Sequence, residues 1–185
     1  MKTTIDWTDI LFSHGVDRNN RRVFLFDDVE NMPIGLVVKA IYLMETESSK
    51  SPIELFVGSY GGCQYDMFAL YDTIQKCKAP IYTIAMGKCM SAAPLLVACG
   101  KKGHRYATPN TYFMVHQSYG DIGGKMDEVK NDLAHFGEVE ERWNSLMENH
   151  TKKSKTFWKS QCEKVGDRYF DANQAKEWGL IDNLW

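Results

Sequence analysis

Apolar residues along this chain alternate between short continuous runs and stretches of helical spacing. Val23, Phe24, Leu25 and Phe26 form a first buried run, so Arg22–Phe26 is predicted to be a strand. Past Asp27-Asp28, Leu36, Val37, Ala40, Ile41 and Leu43-Met44 recur with helical periodicity. A helix is therefore expected to about Glu45, capped by Asn31 and carrying Pro33 in its first turn. Ile53–Val57 reads as a second strand, Gln64 to Lys76 as a second helix, and Pro80 restarts a strand that leads to a tight turn at Gly87. Ser91 would cap the small apolar helix after it, and Tyr112–Val115 is a further strand. This order predicts an α/β fold, parallel strands joined by right-handed crossovers with the site at the strand C-terminal ends.

The C-terminal third has a different pattern. Lys125 to about His150 is interrupted only by Gly137, long enough for a helix of roughly 35–40 Å. Met126, Val129, Leu133, Phe136, Trp143 and Met147 recur in steps of three and four, with Glu140 breaking one seam position. Such a stripe packs on its own domain or takes a partner helix. Lys152–Lys164 is a basic amphipathic stretch with Phe157, Trp158 and Cys162 inward, and Asp171 with Gln174 opens a last helix that Gly179 closes.

At 185 residues the chain is most simply one domain, 1–185, with an N-terminal segment over 1–20. A net charge of -2 gives no reason to expect nucleic acid as a partner, and no apolar run is long enough to span a membrane. The N-terminus shows no signal-peptide core, so the chain is expected to stay in the cytoplasm or an equivalent compartment. Cys63, Cys77, Cys89, Cys99 and Cys162 have no C-x-x-C spacing, so neither disulfides nor a metal are expected, and no cofactor is called for.

The candidate chemistry lies in three pieces. Thr83 to Gly100 (TIAMGKCMSAAPLLVACG) carries one serine, Ser91, where a helix begins and free N–H groups share its volume. Ser59-Tyr60-Gly61-Gly62-Cys63 has a glycine pair that lets backbone donors approach a ligand, and His116 stands at the end of an apolar strand. These are the parts of an oxyanion-donor loop, a nucleophile and a base; Cys63 and Cys89 are thiol alternatives to the serine. Spacing does not choose the carboxylate that would orient the base.

On these residues the chain resembles the proteolytic subunit of the ATP-dependent Clp protease, the ClpP family. Ser59–Cys63 stands where the family has SPGGS. Tyr71–Gln75, Met86-Gly87 through Ser91, Tyr106–Asn110, Met114–Gln117 and Ala175–Asp182 follow in the family's order, so the likeness runs from Arg22 to Asp182. It implies a ClpP/crotonase-like fold with a protruding strand-helix handle over 118–150. It also implies a serine endopeptidase with Ser91, His116 and Asp167 as triad, Asp167 being reached by a short insertion after Thr151, with Asp171 the fallback. The backbone N–H groups of Gly62 and Ala92 would form the oxyanion hole, and Gly61 would pair with a substrate strand. Unfolded polypeptides would be cut inside a homo-oligomer, a heptameric ring or two rings as a tetradecamer, fed by an AAA+ unfoldase.

The chain also departs from the family. Pro94 replaces a small residue after the nucleophile, and the positions that would dock an ATPase are Glu54, Phe56, Lys76 and Tyr106, two of them charged. Val165 and Gly166 stand where relatives often form a ring-to-ring charged pair, and the N-terminal segment is shorter. Two other functions are therefore carried forward: a catalytically silent ring-forming subunit, and a crotonase-type acyl-CoA enzyme using the same pair of backbone donors.

Overall fold

The computed structural model describes residues 7–163 and 166–185. Lys164, Val165 and the first six positions of the N-terminal segment, all named above, lie outside the described residues.

The fold is mixed α/β with a mostly parallel sheet. A helix that sequence spacing did not announce, α1 (Trp7–His14), leads into β1 (Val16–Asp17) and β2 (Arg22–Leu25), which pair antiparallel. After them come α2 (Asn31–Glu47), β3 (Ile53–Ser59), α3 (Gln64–Lys76), β4 (Ile81–Met90), α4 (Ala93–Ala98), β5 (Arg105–Ala107) and β6 (Tyr112–Val115). The long helix α5 (Met126–His150), α6 (Lys155–Cys162), β7 (Arg168–Asp171), α7 (Ala172–Trp178) and β8 (Asn183–Leu184) complete the order. Two caps differ from expectation. Glu30 is the N-cap of α2 and makes no side-chain cap bond, which puts Asn31 inside the first turn. Ala92, one residue after Ser91, is the N-cap of α4.

The sheet forks at β4. Its first half pairs in parallel with β5, Thr83 to Ala85 against Arg105 to Ala107, and its last three residues pair with β6, Lys88 to Met90 against Tyr112 to Met114. Gly87, expected to make a tight turn, instead lies within the strand at the fork, with φ 68°. The buried Thr111 hydroxyl fills the gap, donating to Ala85 O at 3.1 Å and accepting from Gly87 N–H at 3.2 Å. It thus replaces ladder bonds that neither branch can supply. β3 is buried along nearly its whole length, as a strand covered on both faces must be.

Two interior devices fix the helices. Arg105, 3% exposed, makes a two-pronged bond to the Asp182 carboxylate at 2.6 and 2.9 Å and donates to the carbonyls of Ala98 and His150, tying the ends of α4 and α5 to β5. Trp143, Phe157, Trp158, Phe170 and Trp178 interlock edge-on or tilted, centroids 4.6–6.2 Å apart. These rings lock the C-terminal half of α5 to α6, β7 and α7. The N-terminal half of α5 is held less tightly: His135 meets the Tyr65 hydroxyl at 2.7 Å, while Met126 is 69% and Leu133 64% exposed. Residues 118–124, expected to begin a handle with a strand, form none within this chain. Among the described residues no helix is long and apolar enough to cross a membrane.

Candidate active site

Ser91 follows directly on β4 in the left-handed region, φ 57°, where a residue with a Cβ is strained. The turn it makes lifts the side chain off the strand while its N–H continues the ladder, donating to Met114 O at 2.8 Å. That bond ties the serine to β6, which ends at Val115, and His116 follows directly. The Ser91 hydroxyl and His116 Nε2 are 2.8 Å apart. With its proton on Nδ1, the imidazole can take the hydroxyl proton, the geometry of a nucleophile and its base.

The glycine loop closes over the same turn. Ser59, fully buried, accepts the Gly61 N–H at 3.1 Å; Val29 donates to Gly61 O at 2.7 Å and accepts from Cys63 N–H at 2.7 Å. Gly61, φ 97°, has no room for a side chain: a Cβ would lie 2.5 Å from Met90 O, 2.6 Å from Ser91 Cβ and 2.9 Å from Ala92 N. A Cβ on Gly62, φ 147°, would meet Val29 O at 2.4 Å. Among the described residues the N–H groups of Gly62 and Ala92 have no acceptor. Both belong to backbone packed against Ser91, as donors for a developing oxyanion must. Gly61 departs from expectation: its N–H is taken by Ser59, so only the second lone pair of its carbonyl is left for a substrate strand.

The structure does not bring the third expected residue onto the base. Asp167 lines the same groove as His116, but its carboxylate accepts from the Tyr169 hydroxyl at 3.1 Å. Among the described residues no carboxylate hydrogen-bonds His116. Donating to the Asp167 carboxylate holds the Tyr169 phenol above its ordinary pKa. Asp171 is occupied as the N-cap of α7, accepting from Gln174 N–H at 2.8 Å. Of the thiols, Cys89 is fully buried, which pushes its pKa far up and makes it inert. Cys63 is exposed on the groove but is hydrogen-bonded to no base among the described residues.

A groove of about 740 Å³ passes over Ser91 and His116 between the glycine loop and α5. Tyr60, Tyr65, Tyr119, Phe136 and Tyr169 line it, and its charged lining residues, Asp28, Glu30 and Asp167, are all acidic. Behind Ser91 the groove adjoins a second, smaller cavity whose polar residues Gln64, Ser118, Glu140 and Asn144 sequence reasoning did not place at the site. One signal was available: Glu140 breaks the apolar seam of α5 because its carboxylate accepts the Ser118 N–H at 2.7 Å, fastening the segment after His116. No cluster of metal-ligating side chains occurs among the described residues.

A comparison with protein-family models matches residues 13–185 to Clp protease. The match takes in every element from the end of α1 to β8, including the glycine loop, Ser91 and His116, and on that extent the chain belongs to the Clp protease family.

Proposed function

We propose that the chain is a serine endopeptidase that hydrolyses peptide bonds of unfolded polypeptides, with Ser91 as nucleophile and His116 as general base. The observation that carries this reading is the 2.8 Å approach of Ser91 Oγ to His116 Nε2, with the serine held at φ 57° on the turn between β4 and α4. Ser91 Oγ attacks the scissile carbonyl as His116 takes its proton. The carbonyl oxygen, now negative, receives the N–H groups of Gly62 and Ala92, each such donor being worth about 2.7–4 kcal/mol. The imidazolium then protonates the leaving amine, and water repeats the sequence on the acyl-enzyme. Asp167 is assigned as the residue that orients His116, a role in which its carboxylate turns from Tyr169 toward Nδ1.

Assembly belongs to the same reading. The exposed apolar stripe at the start of α5, with an unpaired segment before it, suits a handle buried between copies in a heptameric ring or a tetradecamer. An AAA+ unfoldase would meet a surface unlike the family's: Phe56 is stacked on Phe24 at 4.8 Å, Glu54 is paired with Arg22 at 2.8 Å, and Lys76 adds a charge. The cysteines are all free, in keeping with a cytoplasmic setting.

A fluorophosphonate probe with intact-mass readout tests the nucleophile. One adduct per chain is expected for the wild type and none for Ser91→Ala, while His116→Ala should react slower by several orders of magnitude. No adduct on a folded, assembled wild type would instead support the silent-subunit reading, which the missing Asp167–His116 bond favours. Turnover of a CoA thioester would support the crotonase reading.

A further inference from the structure

Directly behind the nucleophile lies a cavity of about 40 Å³. It shares Gln64, Ser91, His116 and Ser118 with the groove, and extends inward to Glu140 and Asn144 on α5. Two carboxamide oxygens of these lining residues, Gln64 Oε1 and Asn144 Oδ1, are buried and without a hydrogen-bond partner among the described residues. Asn144 is 5% exposed. Buried side-chain amides are nearly always satisfied, so two orphans around one small space beside a nucleophile point to a ligand that completes them. Three neighbouring polar groups are already matched. Glu140 accepts the Ser118 N–H at 2.7 Å, Gln64 Nε2 donates to Ser118 Oγ at 2.5 Å, and Lys159 is bonded to Glu141 at 3.2 Å.

We propose that this cavity receives the side chain of the residue whose carbonyl Ser91 attacks, the P1 residue, and selects a short uncharged group that donates hydrogen bonds to these two oxygens, the carboxamide of glutamine or asparagine first. The inference rests on Ser91 acting as the nucleophile. The P1 side chain branches one bond from the carbonyl under attack, so it must settle in whatever space adjoins Ser91. At about 10–15 Å³ for each water-sized group, the cavity accommodates roughly three, the number of heavy atoms in a carboxamide head. An apolar side chain there would strand both amide oxygens away from water, and a site built from hydrogen-bonding groups rejects partners that leave them unpaired. A carboxylate accepts only, so it would leave both oxygens unpaired and would face Glu140 and Glu163; an ammonium could donate to both oxygens but would set a second cation beside Lys159, which makes P1 Lys the competitor that the test must separate.

The test uses tripeptide fluorogenic substrates identical except at P1, with Gln, Asn, Leu, Phe or Lys, alongside fluorophosphonate labelling of the same preparation. The expected result is a kcat/KM for P1 Gln or Asn at least about fivefold above that for P1 Leu, the lower end of what one unpaired buried group imposes. In Asn144→Leu and, separately, Gln64→Leu, the Gln-to-Leu ratio should fall toward or below unity. Because the readout is a ratio within one preparation, a partly folded variant does not blur it. A labelled wild-type enzyme that cleaves P1 Leu, Phe or Lys as well as P1 Gln, or cleaves none of the set, overturns the pocket while leaving the serine reading intact. A wild type that takes no label overturns the serine reading and this inference with it.

Discussion

Ser91 and His116 stand at the ends of strands inside the sheet, whereas Asp167 precedes β7, which pairs only with β6. The serine is held from two directions, by its N–H bond to Met114 and by Gly61 packed against its Cβ. His116 inherits its position from the β4–β6 register. Among the described residues the Asp167 carboxylate is bonded to the Tyr169 hydroxyl. A single chain therefore fixes Ser91 and His116 against each other, and leaves Asp167 beside a strand at the edge of the sheet. Residues inside a sheet are over-determined by several ladders, while an edge residue takes its place from whatever lies beside it.

The largest effect that would break this contrast is at Asp167. If assembly turns its carboxylate onto His116, Asp167→Asn in the assembled protein should lower kcat by ~10⁴, as loss of the orienting aspartate does in serine peptidases. A loss below about tenfold would mean that the base is oriented by another group. The next effect sharpens the other side. In Gly61→Ala the added methyl must displace the Ser91 turn, and a shift near 1 Å costs on the order of 100-fold in activity. Gly87→Ala is the matched control: φ is also positive, 68°, but nothing lies within 4 Å of the new Cβ. It should lower the melting temperature, through about 1–2 kcal/mol of backbone strain, more than it lowers kcat.

Much of this contrast could be read from the sequence. The apolar runs marked β2, β3, β4 and β6 because strands covered on both faces need little alternation, and Gln64 to Lys76 was bounded on both sides because its apolar spacing is unbroken. Ser91, Gly62 and His116 were legible as local signals, a glycine pair and polar residues where apolar runs stop. The fork at β4 was not, since Thr111 acts through a hydroxyl that bridges two branches distant in sequence. Nor was the cavity: Gln64, Ser118 and Asn144 sit on three separate segments, and only Glu140 gave a sign by interrupting the α5 stripe. The Ser91 turn was misread by one residue at its cap because a left-handed serine and an N-cap serine look alike in sequence. Asp167 rested on resemblance alone, and an edge position has no periodicity to read.

The smallest expected effect concerns the end of the sheet away from Ser91, where acid should loosen the fold without acting through the site. Burial there opposes the charged form of Asp182, but the guanidinium of Arg105 and the amides of Arg105 and Gly103 outweigh it and hold the carboxyl below its ordinary value. His150 is also shifted down, first by burial and then by the charge of Arg105; its ring meets the Tyr71 hydroxyl at 2.9 Å. Both groups bind protons more weakly in the folded chain than in the unfolded one. The stability each contributes is therefore full above its unfolded pKa and is lost as pH falls toward the folded one, beginning for His150 below 6.5 and for Asp182 below 3.8. The melting temperature should fall between about pH 7 and about pH 5, where histidine is the group that titrates. In His150→Gln, which can still bond to Tyr71, that slope should flatten while the fluorophosphonate rate of Ser91 keeps its wild-type pH profile. An unchanged slope would assign the acid sensitivity to another histidine, and a changed Ser91 profile would show that the Arg105 latch and the site are coupled through α5.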